Sequence, residues 1–598
     1  MDRNKIKNTY LENIKKEEFS LLSLKRRSFY VSMLRLLVFA AGITSAIAAF
    51  RYSPLAGSVA MIVFIVLFFF LFRKSAWYSQ IIILSENLIR INKDEINALG
   101  GDCSAFDGGA DLIDTGHDFT YDTDIFGDDS VFRHINRTVT GCGRAILAGW
   151  LTGPYDLQKA IPERQDAVRE LSGKLYWRQK FMAYSSDRLL DEKEIDSLQE
   201  WLNEKDPFFT PFAMEAVTVI LPLITTAVFI SAISGLLPLK VFIFIFVFNL
   251  MLAGIFLRKS NRIHSMVSRK HIYLSSFAEL INLIEKEQFT SSVMTGMQNK
   301  ISGRKGSAAE KIRELNTIIR SFDSRLNMLA GFILNGFLLW DFQCVKRLER
   351  WRSSSAEGLP VWLNLLGKTD AFSSLANYTY NNPGYSFPDV INDAVVLEAF
   401  KMGHPLLKNE ARVDNDFCIS RGEVNIFTGA NMSGKSTFLR NVAVNMVLAM
   451  AGAPVCAAKM SFSPVILYTS MRTTDSLSRN ESYFYAELKR LKNLKDRLEN
   501  GEDILFILDE ILKGTNSTDR STGSKLFLRR LIEIGGTGLI ATHDISLAEM
   551  EEEFPGIVMN RCFEVEIDGK KINFDFKIRN GITRNMNASV LMQQMGIV

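Results

Sequence analysis

A glycine-rich stretch that ends in a lysine and hydroxyl residues is the part of the sequence that most clearly predicts chemistry. Residues 429–436 are G-A-N-M-S-G-K-S and match G-x-x-x-x-G-K-[ST] at every position. Glycines let the backbone N–H groups of such a loop turn toward phosphate oxygens, and the positive end of a following helix adds to that field. The sequence therefore predicts a nucleoside triphosphate site. Its predicted binding residues are Gly429, Ala430, Asn431, Met432, Ser433, Gly434, Lys435, Ser436 and Thr437.

Lysine, hydroxyl and carboxylate groups in and after this loop have the types that phosphoryl chemistry needs. Lys435 would supply a positive charge to the β- and γ-phosphates, and the Ser436 hydroxyl would be a Mg²⁺ ligand. Further on, "DILFILDE" at 503–510 is an apolar run that ends in two carboxylates. Asp509 would hold Mg²⁺ through its water shell, and Glu510 would orient and polarise the attacking water.

A histidine ends a third apolar run, "TGLIATHD". At a strand tip beside the phosphates, His543 would contact the γ-phosphate and sense its loss. The alternative is a purely structural histidine, just as the loop itself could be a plain glycine turn. Lys435, Glu510 and His543 are the predicted catalytic residues.

The elements around the loop are those that a phosphate-binding loop requires. Residues 424–428 form a short apolar run, as expected of a buried parallel strand. The stretch "STFLRNVAVNMVLAMAG" then has helical apolar spacing and stops at Gly452. Strand, loop and helix follow one another in the required order, which predicts an α/β P-loop domain.

Four segments together resemble the ATPase domain of the MutS family of DNA mismatch-repair proteins. They are the loop "TGANMSGKST", the stretch "ESYFYAEL", the stretch "EILKGTNSTDRSTG" and the strand "LIATHD". The resemblance implies an ABC-type fold, ATP and Mg²⁺ as cofactors, and a homodimer that pairs its ATPase domains. Ser482, Phe484 and Glu487 match the family's serine-x-phenylalanine signature, in which the serine reaches the γ-phosphate bound by the partner subunit.

Other segments extend the resemblance. The sequence "GHP" at 403–405 matches the opening of the domain, residues 577–597 match its closing strand and helix, and residues 137–171 match the start of the family's helical core. The loop after the carboxylates would lie at the dimer interface; its matching residues are Gly514, Thr515, Ser517, Thr518 and Asp519. The resemblance implies DNA as the ligand, in repair or recombination.

Departures from the family pattern limit this interpretation. The family's mismatch readers carry an N-terminal Phe-x-Glu wedge, and no such triplet occurs in residues 1–200. The triplet at 277–279 has helical surroundings and is a coincidence on a helix face. We also find no counterpart of the connector or of the C-terminal dimerisation extension. Where the family stacks an aromatic residue on adenine, the alignment has Arg412, which would stack through its guanidinium plane.

Four apolar segments, in two close pairs, have the length of membrane-spanning helices. They are residues 31–50, 55–72, 216–237 and 241–257. A spanning helix needs about 20 apolar residues, and the short connections predict two helical hairpins. Buried core helices are the rival interpretation, but these segments lack a polar face. Basic residues flank the outer ends, whereas the tips carry only Arg51 and Lys240. A multi-pass membrane protein with four spans and cytoplasmic termini and ATPase domain is therefore predicted.

Composition adds weak constraints. The 598 residues include 70 Lys+Arg and 66 Asp+Glu, a formal charge of +4, which is too mild to indicate nucleic acid by itself. The six cysteines are scattered without a C-x-x-C pair, which fits a reduced compartment rather than a disulfide framework or zinc site. A basic stretch, "NKISGRKGSAAEKIREL" at 299–315, is the candidate DNA contact, with a solvated helix face as the alternative.

The predicted fold class is an α/β P-loop ATPase domain, an all-α lever and core domain, and two transmembrane helical hairpins. The predicted organisation is a basic lead-in with hairpin one at 1–95, a linker and the start of the helical core at 96–211, hairpin two at 212–258, a helical lever at 259–395 and the ATPase domain at 396–598.

The predicted function is that of a membrane-anchored, slow, switch-like ATP hydrolase that binds DNA. The alternative is a nucleotide-gated membrane scaffold that binds a protein or lipid partner without DNA. A transporter is a weaker third possibility, because no intramembrane ionisable site is evident.

Overall fold

The computed structural model describes residues 2–153, 160–185, 200–203, 211–268, 270–303, 306–472, 483–568 and 571–583. Ser482 and most of the closing segment, from residue 584, lie outside these ranges. The chain forms two compact units. The first consists of residues 1–137, 147–179 and 372–598, and the second of residues 138–146 and 180–371.

Helices account for most of the described chain. They are α1 (Arg3–Tyr52), α2 (Pro54–Leu99), α3 (Val131–Ile135), α4 (Gly141–Thr152), α5 (Ala160–Ser172), α6 (Leu175–Ala183), α7 (Pro211–Ile233), α8 (Leu239–Ile255), α9 (Leu257–Val267), α10 (His271–Lys286), α11 (Ser292–Ser302), α12 (Ala308–Asp323), α13 (Met328–Leu338), α14 (Trp340–Ser355), α15 (Gly358–Asn381), α16 (Lys435–Ala451), α17 (Tyr483–Glu499), α18 (Ser517–Glu533) and α19 (Met550–Glu553).

Two sheets lie in the C-terminal part of the first unit. Their strands are β1 (Asp389–Val390), β2 (Val395–Met402), β3 (Asn415–Ser420), β4 (Val424–Gly429), β5 (Lys459–Phe462), β6 (Ile466–Ser470), β7 (Ile504–Asp509), β8 (Thr537–Thr542), β9 (Val558–Asp568) and β10 (Lys571–Asn580). The smaller sheet has the order β1-β5-β2-β3, and the larger one has the order β10-β9-β4-β8-β7-β6. The predicted α/β character of this region is confirmed.

The larger sheet explains why its central strands are so apolar. All its neighbouring strands run parallel except β10, which is antiparallel to β9. Every residue of β4 and of β8 is buried, as expected for central strands of a parallel sheet covered on both faces. Leu494 of α17 and Leu528 of α18 pack into the same core as Phe506 of β7. The sheet is therefore a rigid base for the loops that leave its strands.

Helices α1 and α2 form the long hairpin that the first apolar pair predicts. They meet at Ser53, and Pro54 begins α2 at a position where its missing N–H costs no hydrogen bond. The helices approach closely where they carry glycine: a Cβ built on Gly42 would lie 3.0 Å from Cβ of Phe64. Large apolar side chains between residues 33 and 72 remain exposed.

A buried polar network fixes the other end of this hairpin within the first unit. The Glu95 carboxylate accepts hydrogen bonds from Arg137 at 2.6 Å, from Asn377 at 2.9 Å and from Asn381 at 2.7 Å. The hydroxyl of Tyr10 donates to Oδ1 of the same Asn381 at 2.8 Å. Because every partner is buried, loss of one member would leave unpaired polar groups, so the network holds α1 and α2 in one position.

The second unit contains the second predicted hairpin and one apolar helix that the sequence pattern did not predict. Helices α7 and α8 form the hairpin, and α13 packs against both. Among the described residues, two helices, α1 and α2, are long and apolar enough to cross a membrane. The number of possible spans rises to four if each of two strongly bent helix pairs forms a single span. Those pairs are α8 with α9, bent by 63°, and α13 with α14, bent by 80°.

Candidate active site

Three neighbouring strands end at one edge of the larger sheet and bring the predicted catalytic residues together. In the register, Thr428 of β4 faces Thr542 of β8, and Ala541 of β8 faces Asp509 of β7. The segments that follow these strands therefore start side by side. They carry the phosphate-binding loop, His543 and Glu510, which lie far apart in the sequence.

Lys435 lies at the centre of this edge as a buried cation. Its Nζ donates to the carbonyl oxygen of Gly429 at 2.7 Å and to that of Ala430 at 3.0 Å, and lies 3.4 Å from Nε2 of His543. Burial lowers the pKa of Lys435 to about 8, although Glu510 and Asp509 act in the opposite direction. An incoming phosphate would supply the negative charge that offsets this desolvation.

The glycines of the loop are required by close contacts. Gly434 has φ of 103°, and a Cβ there would lie 2.9 Å from the Phe576 ring. A Cβ on Gly429 would lie 2.8 Å from Oγ of Ser433. That Ser433 oxygen is buried and has no hydrogen-bond partner among the described residues. The remaining loop residues differ in exposure: Asn431, Met432 and Thr437 are exposed, Ser436 is half-buried and Ala430 is buried.

Glu510 is paired with His543. Oε1 of Glu510 lies 2.7 Å from Nε2 of His543, and Lys513 lies 3.5 Å from the other oxygen. The hydrogen bond to His543 is the main reason why the pKa of Glu510 falls to about 2. The backbone of Glu510 has φ of 51°, and its N–H donates to the carbonyl of Ala541 at 2.9 Å. Such a conformation is costly for a non-glycine residue, and here the sheet edge enforces it.

Asp509 has the donor atom that a magnesium site requires. Its Oδ1 is buried and has no hydrogen-bond partner among the described residues. Ser436 stands on the first turn of α16, next to Lys435. No group of three or more His, Cys, Asp or Glu side chains in the described part of the chain could hold a metal alone. This donor set fits Mg²⁺, which keeps several waters and takes substrate oxygens.

A cavity of about 260 Å³ opens beside the loop. Its walls include Gly434 and Thr437 from the loop, His404 and Val413 from the segment before β3, and Phe576 from β10. Burial lowers the pKa of His404 to about 4, with Arg440 adding to the effect, so this histidine is neutral near pH 7. The cavity has the position and the mostly apolar lining of a base-binding site.

Arg412 does not line this cavity, and the stacking role predicted for it stays a prediction. Its Nε donates to Asp414 at 2.7 Å and its guanidinium also donates to Asn409 at 3.0 Å. The side chain lines a separate cavity, together with Arg3 and Tyr385. The ion pair with Asp414 holds the Arg412 guanidinium outside the cavity beside the loop.

Phe576 is the aromatic residue that sequence reasoning missed. It has φ of 53° and lies where the pairing of β9 with β10 shifts register, between Phe574 and Ile578. The side chain of Asn415 holds this irregular backbone, because it donates to the Phe576 carbonyl at 3.0 Å and accepts from the Ile578 N–H at 3.0 Å. No local pattern signals a bulge held from another strand, so the sequence alone could not place this ring.

The signature segment is docked onto the loop that follows the carboxylates. A Glu487 carboxylate oxygen accepts from the Leu512 N–H at 2.6 Å, and a Cβ on Gly514 would lie 2.8 Å from Cβ of Phe484. Helix α17 therefore fixes the end from which Ser482 emerges, although Ser482 itself lies outside the described residues. Thr515 is half-buried, and the other predicted interface residues of this loop, Gly514, Ser517, Thr518 and Asp519, are exposed. Their dimer role stays a prediction.

The acidic segment before α3 binds arginines and backbone amides of the nucleotide domain. Asp122 accepts from the Thr469 hydroxyl at 2.7 Å and from the N–H groups of Met471 at 3.0 Å and Arg472 at 2.9 Å. Asp124 forms two hydrogen bonds with the Arg472 guanidinium, at 2.6 and 2.9 Å. We call residues 114–124 the acidic strap. It reaches the end of β6 and the two residues that follow this strand.

The basic stretch proposed as a DNA contact is partly neutralised within the second unit. Arg313 lies 3.0 Å from Glu279, and Lys311 lies 3.6 Å from Glu314. Lys300 is exposed, and residues 304–305 lie outside the described part of the chain. The described part of this stretch therefore presents less positive charge than its composition indicates.

Comparison with known proteins gives one family and a consistent set of relatives. A family model described as MutS domain V matches residues 425–594. The DNA mismatch repair protein MutS of Thermotoga petrophila is 32% identical over 222 residues, which are 36% of this chain and 27% of that protein. The protein of the same name from Acetivibrio thermocellus is 32% identical over 241 residues, 39% of this chain and 27% of the relative.

A third relative agrees, and all three matches have the same limited extent. The Clostridioides difficile DNA mismatch repair protein MutS is 34% identical over 226 residues, 36% of this chain and 23% of that protein. The chain thus matches about a quarter of the length of these relatives. The family match includes the phosphate-binding loop, both carboxylates and His543, whereas the resemblance at 137–171 lies outside it and stays a prediction.

Proposed function

We propose that this chain, whose residues 425–594 match the family model of MutS domain V, is a membrane-anchored ATPase of that family. Its activity would be slow and switch-like, with two copies pairing their ATPase domains and with DNA as the ligand. The observation that carries the proposal is the convergence of Lys435, His543 and Glu510 at the ends of three parallel strands, where His543 lies 3.4 Å from Lys435 and 2.7 Å from Glu510. The strand arrangement supports an ABC-type domain.

The loop geometry supports triphosphate binding. Lys435 is buried, already lies against backbone carbonyls and has an ammonium group that burial makes easier to deprotonate. Phosphate oxygens would hold its proton in place. The N-terminus of α16, which follows Gly434, would add the positive end of a helix of 17 residues.

The catalytic role of Glu510 follows from its charge. A carboxylate with a pKa of about 2 stays ionised and is a weak proton acceptor. Glu510 would therefore orient and polarise a water rather than store its proton. His543 holds Glu510 at 2.7 Å and lies 3.4 Å from Lys435, so a phosphate that binds Lys435 would also meet the histidine and alter its bond to Glu510.

Asp509 and Ser436 would hold Mg²⁺. The orphaned Oδ1 of Asp509 supports this role, because a buried carboxylate oxygen without a donor is costly unless a cation or water meets it. When bound, Mg²⁺ would neutralise charge on the phosphate oxygens. The base would enter the 260 Å³ cavity and contact Phe576 and Val413.

Membrane anchoring and dimerisation complete the proposal. The exposed apolar side chains of α1 and α2 support insertion in lipid, since a soluble monomer rarely exposes so large an apolar surface.

A γ-phosphate contacted by both subunits, through Lys435 of one and Ser482 of the other, would give ATP but not ADP a preference for the closed dimer. Hydrolysis would then reopen it.

A nucleotide-gated scaffold without DNA is the second candidate, and one observation favours it. The described basic residues at 311 and 313 are paired with Glu314 and Glu279, so these two residues offer little free charge for phosphate contacts. In the scaffold reading, the same ATP cycle would control a protein or lipid partner.

The test uses the full chain in liposomes and measures ATP binding and hydrolysis. Glu510→Gln should bind ATP but hydrolyse it about 100-fold more slowly or worse, and Lys435→Ala should lose binding. Lys492→Ala, a change at an exposed residue of α17, is the matched control and should leave both unchanged. Equal activity of all variants would refute the ATPase proposal.

The DNA question is decided with the same preparation. Hydrolysis and DNA retention are measured with linear, branched and mismatched DNA across a salt series. ATP-dependent retention that falls steeply with salt would support DNA binding, because phosphate contacts release counterions. Normal ATP turnover without a response to any DNA would favour the scaffold.

A further inference from the structure

Helix α13 in the second unit is apolar, and much of one side of it is unpartnered. Its sequence is MLAGFILNGFL, and residues 326–340 contain no Asp, Glu, Lys or Arg. Leu329 is 75% exposed, Phe332 55% and Ile333 53%. With 11 residues, the helix is about 16 Å long, roughly half of the ~30 Å hydrocarbon core of a bilayer.

The opposite side of α13 is packed against the α7–α8 hairpin. Gly336 allows the contact, since a Cβ there would lie 2.2 Å from the Phe246 ring. The Phe337 ring centroid lies 5.1 Å from that of Phe229 and 5.3 Å from that of Phe242. A small residue at a close crossing and an aromatic cluster around it are typical of helices that associate in lipid.

Several backbone groups at the two ends of α13 are paired within the protein. Asn327 caps the first turn by accepting from the Ala330 N–H at 3.1 Å. In the last turn, where carbonyls have no intrahelical partner, Asn249 of α8 donates to the Gly336 carbonyl at 2.8 Å and Gln343 donates to the Leu338 carbonyl at 3.4 Å. These bonds satisfy part of the backbone at both ends of the helix, which lowers the cost of placing it in lipid.

The chain leaves α13 through a sharp bend. Leu339, with φ of 50°, separates it from α14, whose axis is turned by 80°. Helix α14 carries charged residues along its length, so the two helices do not make one span. At the bend, Asp341 is buried and lies 3.1 Å from Arg325, so the charges that flank α13 neutralise each other.

We propose that α13 is a half-length membrane-inserted helix that docks on the α7–α8 hairpin and exposes Leu329, Phe332 and Ile333 to lipid chains. The occupant of its exposed side is the bilayer because residues 326–340 carry no charge and the helices that α13 contacts, α7 and α8, also expose apolar side chains. The inference rests on the proposed membrane anchoring and adds an anchor inside the predicted lever region. Movement of the lever would then be tied to the membrane.

Fluorescence quenching in lipid tests this placement. The full chain with Cys418→Ser, which removes the exposed thiol, receives one new cysteine labelled with an environment-sensitive dye. Ile333→Cys probes α13, Leu223→Cys probes the exposed side of α7, and Thr317→Cys on α12 is the water-exposed control. The protein is reconstituted in liposomes containing nitroxide-labelled phospholipid. The Cys418→Ser protein without a new cysteine is treated with the same dye, and its fluorescence corrects for labelling of the remaining cysteines.

We expect the dye at residue 333 to be quenched about as strongly as at residue 223 and at least about twofold more than at residue 317. If residue 333 behaves like residue 317 while residue 223 is quenched, α13 faces water and the inference fails, whereas anchoring stands. If residues 223 and 333 are both unquenched, the α7–α8 hairpin is not inserted and this inference fails with it, whereas anchoring through α1 and α2 stands.

Discussion

The ammonium group of Lys435 must carry its proton to attract phosphate, and burial lowers the pKa of that group to about 8. Bound phosphate would raise this pKa again, since it is a negative charge at close range. Below the free pKa the affinity should be constant with pH. Above it, binding must also take up a proton, so the Kd for MgATP should rise by about tenfold per pH unit until the pKa of the bound state is reached.

Calorimetric titration of the Glu510→Gln protein between about pH 7 and about pH 10 checks this prediction. Lys435→Ala should bind weakly and without this pH dependence. A Kd that is constant through about pH 9.5 would mean that Lys435 keeps its proton without phosphate, and would contradict the electrostatic account of the loop.

Phe576 and Arg412 offer two different surfaces for the base, and the geometry favours the ring. Phe576 lines the cavity beside the loop, whereas Arg412 is bonded to Asp414 and Asn409. Stacking of a base on an aromatic side chain is worth about 1–3 kcal/mol. Phe576→Ala should therefore weaken ATP binding by about tenfold or more.

Arg412→Gln is the paired variant, and it should change the ATP affinity by less than about twofold. Triphosphate without a base should bind equally to wild type and to Phe576→Ala, which separates loss of stacking from damage to the loop. If Arg412→Gln weakened ATP binding more than Phe576→Ala did, the stacking role first predicted for Arg412 would be supported instead.

The acidic strap is the element that connects the segment after α2 to the nucleotide domain. The single carboxylate of Asp122 accepts two backbone N–H groups and one hydroxyl at the end of β6. Its removal would leave buried donors unpaired, at a cost of about 1–3 kcal/mol. We therefore expect Asp122→Ala to accelerate amide exchange at Met471 and Arg472 by about tenfold or more.

Hydrogen exchange with residue resolution measures this effect, and Asp129→Ala, which changes an exposed aspartate near the strap, is the control. Unchanged protection at residues 471 and 472 in Asp122→Ala would show that the strap does not hold the end of β6. In that case the position of α17 would depend on its other contacts, such as that of Glu487 with Leu512.

Elements with a local signal could be predicted from the sequence, and those built by distant partners could not. The loop, the carboxylate pair and the first hairpin each have a periodicity or a motif within one segment. By contrast, α13 is too short to stand out as a span, and its environment depends on Asn249 and Phe246 of another helix. The placement of Phe576 likewise depends on Asn415, 161 residues away.

At the scale of the whole molecule, the proposed cycle needs two copies of the chain. Each site would combine Lys435, Asp509, Glu510 and His543 of one chain with Ser482 of the partner subunit. In the first unit, the contact of Glu487 with Leu512 at 2.6 Å ties the signature helix to the loop after the carboxylates. Closure of one site would therefore shift α17, the helix that follows the Ser482 of the other site.

Subunit mixing tests this arrangement. Lys435→Ala and Ser482→Ala homodimers should each be inactive, because every site has one defect. In a mixed dimer, one site would have both defects, but the other would combine the intact Lys435 of one chain with the intact Ser482 of its partner. Random mixing makes half of the dimers mixed, so about a quarter of the wild-type ATPase rate should return.

Mixing Lys435→Ala with Glu510→Gln is the matched control, since both changes lie on the same side of the site and no intact site can form. No recovery in the test mixture would mean that each chain completes its own site. Recovery in the control would mean that Lys435 and Glu510 of one site come from different chains.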